Sequence, residues 1–307
     1  MARQSEWCSN MRKTILLTLM MWFASVGLAQ EKPLAGVIDI HVHSAPDSTP
    51  RSIDAIDLAR LAKAQGMRGL VLKNHYEPTA SLAYIVRKEV PGIEVFGGID
   101  LNLSVGGMNP TAVEHMAAIT GGYGRFVWMA TFDSENQVRY SKENRPFVRI
   151  ARDGQLLPET KAVIALIAKH DLVMATGHSS AEEGLMLLRE AKAQGVKRMV
   201  VTHAMVQPVH MSNEQMLEAA KLGAYIEFVY NGLIGASKQF TFADYAKAIR
   251  YVGVEHCILS SDMGQPTNPL HTDGLIAFFK GLREQGFTQA EIDRMAKQNP
   301  ATLIGLP

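Results

Sequence analysis

Eight short apolar runs of β character recur along this chain, each separated from the next by a loop and usually a helix. They fall at 37–40, 69–72, 94–99, 125–130, 172–175, 199–202, 224–229 and 257–260. Runs this continuously apolar are buried on both faces, as strands of a parallel sheet are. The helical segments between them have readable ends. Ser180-x-x-Glu183, Ser212-x-x-Gln215 and Thr288-x-x-Glu291 predict capping boxes, and Gly66, Gly195, Gly223 and Gly286 stand where helices should stop. A faint repeat relates 62–71 to 191–200, each reading as helix end, glycine, basic turn and buried strand. Eight successive β/α units predict an α/β fold, a (β/α)8 TIM barrel, with an open doubly wound sheet as the competitor. Polar residues decide for the barrel. His41, His43, Lys73, His178, His203 and Asp262 all close apolar runs. A barrel gathers strand C-termini on one rim, whereas an open sheet would hold its first and last strands apart.

The first 29 residues are set aside from the fold. Arg12 and Lys13 precede an apolar stretch ending in Gly27-Leu28-Ala29, the pattern of a secretory signal cut between Ala29 and Gln30. A membrane anchor is the alternative, but the stretch is shorter than the ~20 residues of a span, and the residue right after the cut is Gln30, not a cysteine. Residues 30–307 then form a single domain, secreted or periplasmic in a bacterial setting, with no stable membrane span. Cys257 is the one thiol left, so no internal disulfide can form, and a buried thiol is expected. The leader carries Arg3, Arg12 and Lys13 against Glu6, so 28 of the 31 basic and 29 of the 30 acidic side chains remain. A near-neutral surface without a Lys/Arg run offers no footprint for nucleic acid. A small-molecule substrate is expected; a homo-oligomer stays open.

The chemistry begins at Val37-Ile38-Asp39-Ile40-His41-Val42-His43. Residues two apart on a strand face the same side, so both imidazoles meet one spot and make half a zinc-type site. Two same-face imidazoles are costly to bury without a partner. His75, two residues beyond Lys73, shares its side of the second run. Glu227 is a carboxylate inside the seventh run, able to touch substrate or to pair with Lys73 or Arg125. Arg51, with Asn102, Asn109 and Tyr230, is a candidate rim contact to substrate. His115, His170, His210, His256 and His271 read as surface or core residues, although His271 and Asn268 could line the mouth. The long connection 131–158, rich in charged and aromatic residues, reads as a lid or substrate loop.

These residues together resemble the amidohydrolase superfamily: His-x-His on strand one, Thr176-Gly177-His178 on strand five, Val201-Thr202-His203 on strand six and Ser261-Asp262 on strand eight. The tail Asn299-Pro300-Ala301 through Gly305-Leu306 is similar to the one that often closes those proteins. The resemblance implies that His41, His43 and Asp262 bind a divalent metal, zinc first, with Mn, Fe or Ni as alternatives. His178 and His203 would bind a second ion, or one of them the single ion. Asp262 would also accept a proton from water. The chain departs from the pattern at strand four, where Trp128-Met129-Ala130-Thr131 lacks the bridging lysine of dinuclear members. Lys73 on strand two is either a carbamylated bridge from an unusual strand or an ammonium acting on substrate, so one or two ions remain open. The implied activity is metal-dependent hydrolysis of an amide, ester or lactone. Non-oxidative decarboxylation and a non-catalytic metal- or ligand-binding barrel are the alternatives.

Overall fold

Alternation within the apolar runs decides which side chains fill the middle of the molecule. A computed structural model describes residues 32–307, and the leader expected at 1–29 lies outside the described residues. Eight parallel strands follow one another in space as in sequence: β1 (Ile38–Val42), β2 (Gly69–Leu72), β3 (Glu94–Asp100), β4 (Gly124–Trp128), β5 (Val173–Ala175), β6 (Arg198–Val201), β7 (Ala224–Val229) and β8 (Cys257–Ser260). The sheet closes between its first and last strands. The Asp262 N–H donates to the His41 carbonyl and the His43 N–H to the Met263 carbonyl, both at 2.9 Å. The fold is the (β/α)8 barrel.

One set of side chains points inward. Ile38, Ile40, Val71, Phe96, Phe126, Trp128, Val173, Ala175, Val200 and Ile258 form a single inner cluster. Their strand neighbours, among them Val42, Leu70, Val95, Val127, Met174 and Ile226, pack outward into a second layer against the helices. The C-terminal helix Asn299–Ile304 contributes Ala301, Leu303 and Ile304 to the inner cluster. Arg198, at the start of β6, donates to the Thr302 and Leu303 carbonyls at 3.0 and 3.3 Å. Arg68, just before β2, donates to the Pro307 carbonyl at 2.8 Å. The tail therefore plugs the N-terminal end of the barrel and leaves the C-terminal end to polar residues.

The helix signals hold. All three predicted capping boxes form, and a fourth pairs Thr241 with Asp244. The two segments of the internal repeat occupy equivalent places, each ending a helix at a left-handed glycine (Gly66 and Gly195, both φ +81°) before an inner strand. Cys257 is fully buried. Among the described residues no helix is long and apolar enough to cross a membrane. The connection 131–158 folds into the helix Glu135–Tyr140 and a two-stranded hairpin, Ala151–Arg152 with Gln155–Leu156.

Asn299 shows how the tail is held. It is 1% exposed, and its amide donates to the carbonyls of Val254 (2.9 Å) and Cys257 (2.7 Å). Asn299→Ala removes both bonds; the Val254 carbonyl keeps the Cys257 N–H, while the buried Cys257 carbonyl loses this donor, and the change should cost about 1–3 kcal/mol. Calorimetry should show the melting midpoint falling by roughly 2–4 °C per kcal/mol, as expected for a domain of this size; an unchanged midpoint would refute the anchoring role.

Candidate metal centre and its cavity

A bulge in β1 makes the site. The β1–β2 register slips between Asp39 and Val42. Ile38 and Ile40 face inward while Val42 faces outward, so His41 follows Ile40 on the inner side, and His43 comes next. Such bulges re-aim side chains at barrel rims. His41 Nε2 lies 3.2 Å and His43 Nε2 3.1 Å from the same atom, Oδ1 of Asp262. Asp262 arrives from just past β8 with φ +52°, and His203 from just past β6 with φ +27°. These left-handed conformations are uncommon outside glycine and cost of order 1–3 kcal/mol each. At the end of β5 the turn uses Gly177 (φ +62°), where a Cβ would lie 2.2 Å from the Met129 carbonyl oxygen.

The donor set fits a divalent cation. Tetrahedral ligands about 2.0–2.1 Å from zinc stand about 3.3 Å apart, close to the observed spacing. His41 Nδ1 faces the Glu227 carboxylate at 3.2 and 3.3 Å. Carboxylates only accept, so Nδ1 carries the hydrogen and Nε2 turns toward Asp262. Burial works against charge on His41, yet Asp262 and Glu227 together raise its pKa. Burial likewise works against the Asp262 carboxylate, and His41 and His43 hold its pKa well below the usual range. Two buried carboxylates facing one imidazole call for positive charge at this point, which a metal would supply. Burial keeps His43 and His178 neutral and lowers His203 to about 4, so protons do not compete for these rings near pH 7.

The other sequence candidates lie around a cavity of ≈ 400 Å³ at the C-terminal mouth, lined by His41, His43, Arg51, Lys73, His75, His178, His203 and Asp262 together with Phe132, Gln137 and Asn231. His178 and His203 form the opposite wall, their ring centres 4.8 Å apart, with His203 6.0 Å from His41. His178 Nδ1 bonds Gln137 Oε1 at 2.8 Å, so Gln137 of the 131–158 connection orients that ring. Phe132, from the same connection, stacks on His75 at 3.6 Å. Tyr140 instead points to solvent, more than half exposed. Lys73 and His75 both face inward. Lys73 Nζ lies 3.4 Å from Asp100 Oδ2 without a well-formed hydrogen bond, and is fully buried. Burial raises Asp100 to about 6 against the pull of Lys73. His75 Nδ1 bonds Thr131 Oγ1 at 3.0 Å, and that hydroxyl donates to Asp100 at 3.0 Å.

Several candidates occupy other places than expected. Glu227 is not on the cavity wall and meets neither Lys73 nor Arg125; it stands behind His41 and accepts the His203 N–H at 2.9 Å. His271 takes the core place that its default reading allowed, not the mouth. It is fully buried, and its Nε2 donates to the His43 carbonyl at 2.9 Å. Asn102 braces the loops, accepting the N–H groups of Thr131 and Asp133 at 2.9 and 3.0 Å. Asn109 caps the helix Pro110–Ala117. Tyr230 packs on Phe278, while its neighbour Asn231 reaches the site and donates to Asp262 Oδ2 at 3.2 Å. Asp100 escaped sequence reading, although it ends β3 as Lys73 follows β2; the apolar run was read one residue short.

The sequence profile of a family described as a family of unknown function, DUF6282, matches residues 36–227. The chain belongs to that family. The matched span of this DUF6282 member contains His41, His43, Lys73, His178, His203 and Glu227 and ends before Asp262. No curated protein matches the sequence significantly. Among solved structures, the organophosphorus hydrolase from Deinococcus radiodurans is similar at 17% identity and a TM-score of 0.60, over 89% of this chain and 94% of that one. A mutant PTE-like lactonase from Deinococcus radiodurans shares 17% identity, with a TM-score of 0.61 over 89% and 97%. An amidohydrolase from Pseudomonas aeruginosa shares 13% identity, with a TM-score of 0.61 over 89% and 96%. These likenesses are of fold.

Outer partners of ligating histidines typically tune metal affinity 10- to 100-fold. Glu227→Gln should therefore weaken zinc binding by about that factor in a chelator competition. A change below threefold would show that Glu227 does not orient His41.

Proposed function

We propose that the chain is a metal-dependent hydrolase of small molecules carrying an amide, ester or lactone bond. The observation that carries this reading is the convergence of His41 Nε2, His43 Nε2 and Asp262 Oδ1 at the barrel mouth over a cavity of small-molecule size. Barrel enzymes carry their active sites at this face. Lactonase, organophosphorus hydrolase and amidohydrolase neighbours support the same class. Export to the periplasm or medium is part of the proposal and rests on the leader motif at residues 1–29.

His41, His43 and Asp262 would hold the ion, and among the described residues theirs is the one cluster of histidines and carboxylates with ligand spacing. That supports a single ion. A bound divalent metal supplies Lewis acidity and brings the pKa of water to roughly 7. Asp262 has Oδ2 to spare for the proton of attacking water, and Asn231 Nδ2 steadies that oxygen. General-base catalysis needs a carboxylate so placed and ionised, and the histidines keep Asp262 ionised. His178 and His203 form the far wall; the one N–H of neutral His178 goes to Gln137, which leaves its Nε2 as an acceptor, whereas neutral His203 can donate its ring N–H to a substrate carbonyl. The nearby Asp100 carboxylate supports Lys73 as an ammonium, which would polarise the same carbonyl; a carbamate there would face Asp100 with like charge. Lys73 is then catalytic through its charge and not a metal ligand.

A decarboxylase reading keeps the same ligands and draws support from strand four, which ends without a lysine. A panel of lactones, esters, amides and aromatic carboxylic acids offered to the zinc- or manganese-loaded protein separates the two. Hydrolysis is expected, with Asp262→Asn losing at least 10²-fold in kcat, the lower range of acid–base catalysis. Carbon dioxide release without hydrolysis would overturn the assignment.

A further inference from the structure

Arg51 lies in the loop between β1 and the helix Ala55–Ala64, with its side chain only 4% exposed. Nε donates to Asp47 Oδ2 at 2.6 Å. Asp47 Oδ1 is taken by the Thr49 N–H at 3.0 Å. Nη2 of Arg51 is buried and has no partner. The loop is pinned on both sides of this pair. The Asn74 amide donates to the Ser44 and Pro46 carbonyls at 3.1 and 2.9 Å, and the Ser52 N–H donates to the Gly264 carbonyl at 2.9 Å. A guanidinium is thus held by one nitrogen in a fixed loop, on the wall of the cavity that His43 and Lys73 also line.

Leaving a buried guanidinium donor without an acceptor is unfavourable. Asp47 does not relieve it: its bonds go to Nε and to the Thr49 N–H, and Nη2 stays without a partner. The planar fork of arginine matches a carboxylate, and two charge-assisted hydrogen bonds to it would satisfy the vacant edge. The charge of the wall agrees. Arg51 and Lys73 are its basic side chains, backed by Asp47 and Asp100 outside the wall, and Asp262, already turned to His41 and His43, is the one carboxylate on it.

We propose that Arg51 anchors a free carboxylate on the substrate, so that the site takes small anionic molecules in which that carboxylate lies beside the hydrolysable bond. Asp47 is the positioning residue that presents the fork. This assignment deepens the hydrolase reading and rests on it for the reaction, but not for the binding.

Two measurements on the zinc-loaded protein test it. The first compares kcat/KM for a γ-lactone bearing a ring carboxylate with that for its carboxamide isostere. The wild type should prefer the carboxylate by at least about tenfold, chiefly through KM. Arg51→Gln should bring the ratio to about one, and Arg51→Lys, which keeps charge but loses the fork, should retain part of it. The second is calorimetric titration with glutarate, whose affinity should fall at least about tenfold in Arg51→Gln. Should that variant fail to fold, Arg51→Lys carries the test, with a loss of about threefold or more expected. Equal use of the two lactones by the wild type, or glutarate binding unchanged by both substitutions, would overturn the proposal. Failure to turn over either lactone would count against the hydrolase reading alone, and the glutarate titration would still decide the role of Arg51.

Discussion

One carboxylate oxygen, Oδ1 of Asp262, faces both histidines of β1 across the seam where the barrel closes. Fold and site meet in that contact. The backbone bonds that close the sheet, from the Asp262 N–H to the His41 carbonyl and from the His43 N–H to the Met263 carbonyl, involve the same three residues and the neighbour of Asp262. Closure therefore forms the ligand cluster, and whatever stabilises the cluster stabilises closure. Burial works against charge on His41, but Asp262 and Glu227 raise its pKa and so favour its charged form. A divalent metal would answer the same demand more fully, and would return to the fold part of the cost of burying so many polar groups.

Behind the cluster lies a shell that orients it. Glu227 fixes His41 and the backbone of His203, His271 supports the carbonyl of His43, Gln137 turns His178, and Asn231 steadies Asp262. Beside it, Lys73, Asp100, Thr131 and His75 form a second buried network reaching the same cavity. Each wall of the site is thus backed by groups on a different strand or loop. A barrel rim makes this possible, because it brings eight chain segments to one place.

Much of this was legible in the sequence, for physical reasons. Parallel strands buried on both faces leave continuous apolar runs, so β2, β7 and β8 were bounded to the residue and the others within two. Capping boxes and left-handed glycines mark helix ends by local chemistry alone. The site residues were legible because each follows an apolar run. What pairs across strands was not. Whether Glu227 faces the cavity or the back of His41 depends on lateral neighbours that order along the chain does not encode. The β1 bulge was hidden because His41 and His43 are two apart whether or not the strand slips before them. Asp47 was invisible beside Arg51, since a loop bond four residues long leaves no periodic signal.

The most direct test of this account is the metal content of the protein purified without chelators, measured by elemental mass spectrometry beside a His41→Ala/His43→Ala variant. The account predicts about one equivalent of divalent metal in the wild type, as a single three-ligand cluster would hold, and its loss in the variant. A wild-type protein that carries no metal and takes up neither zinc nor manganese would contradict it.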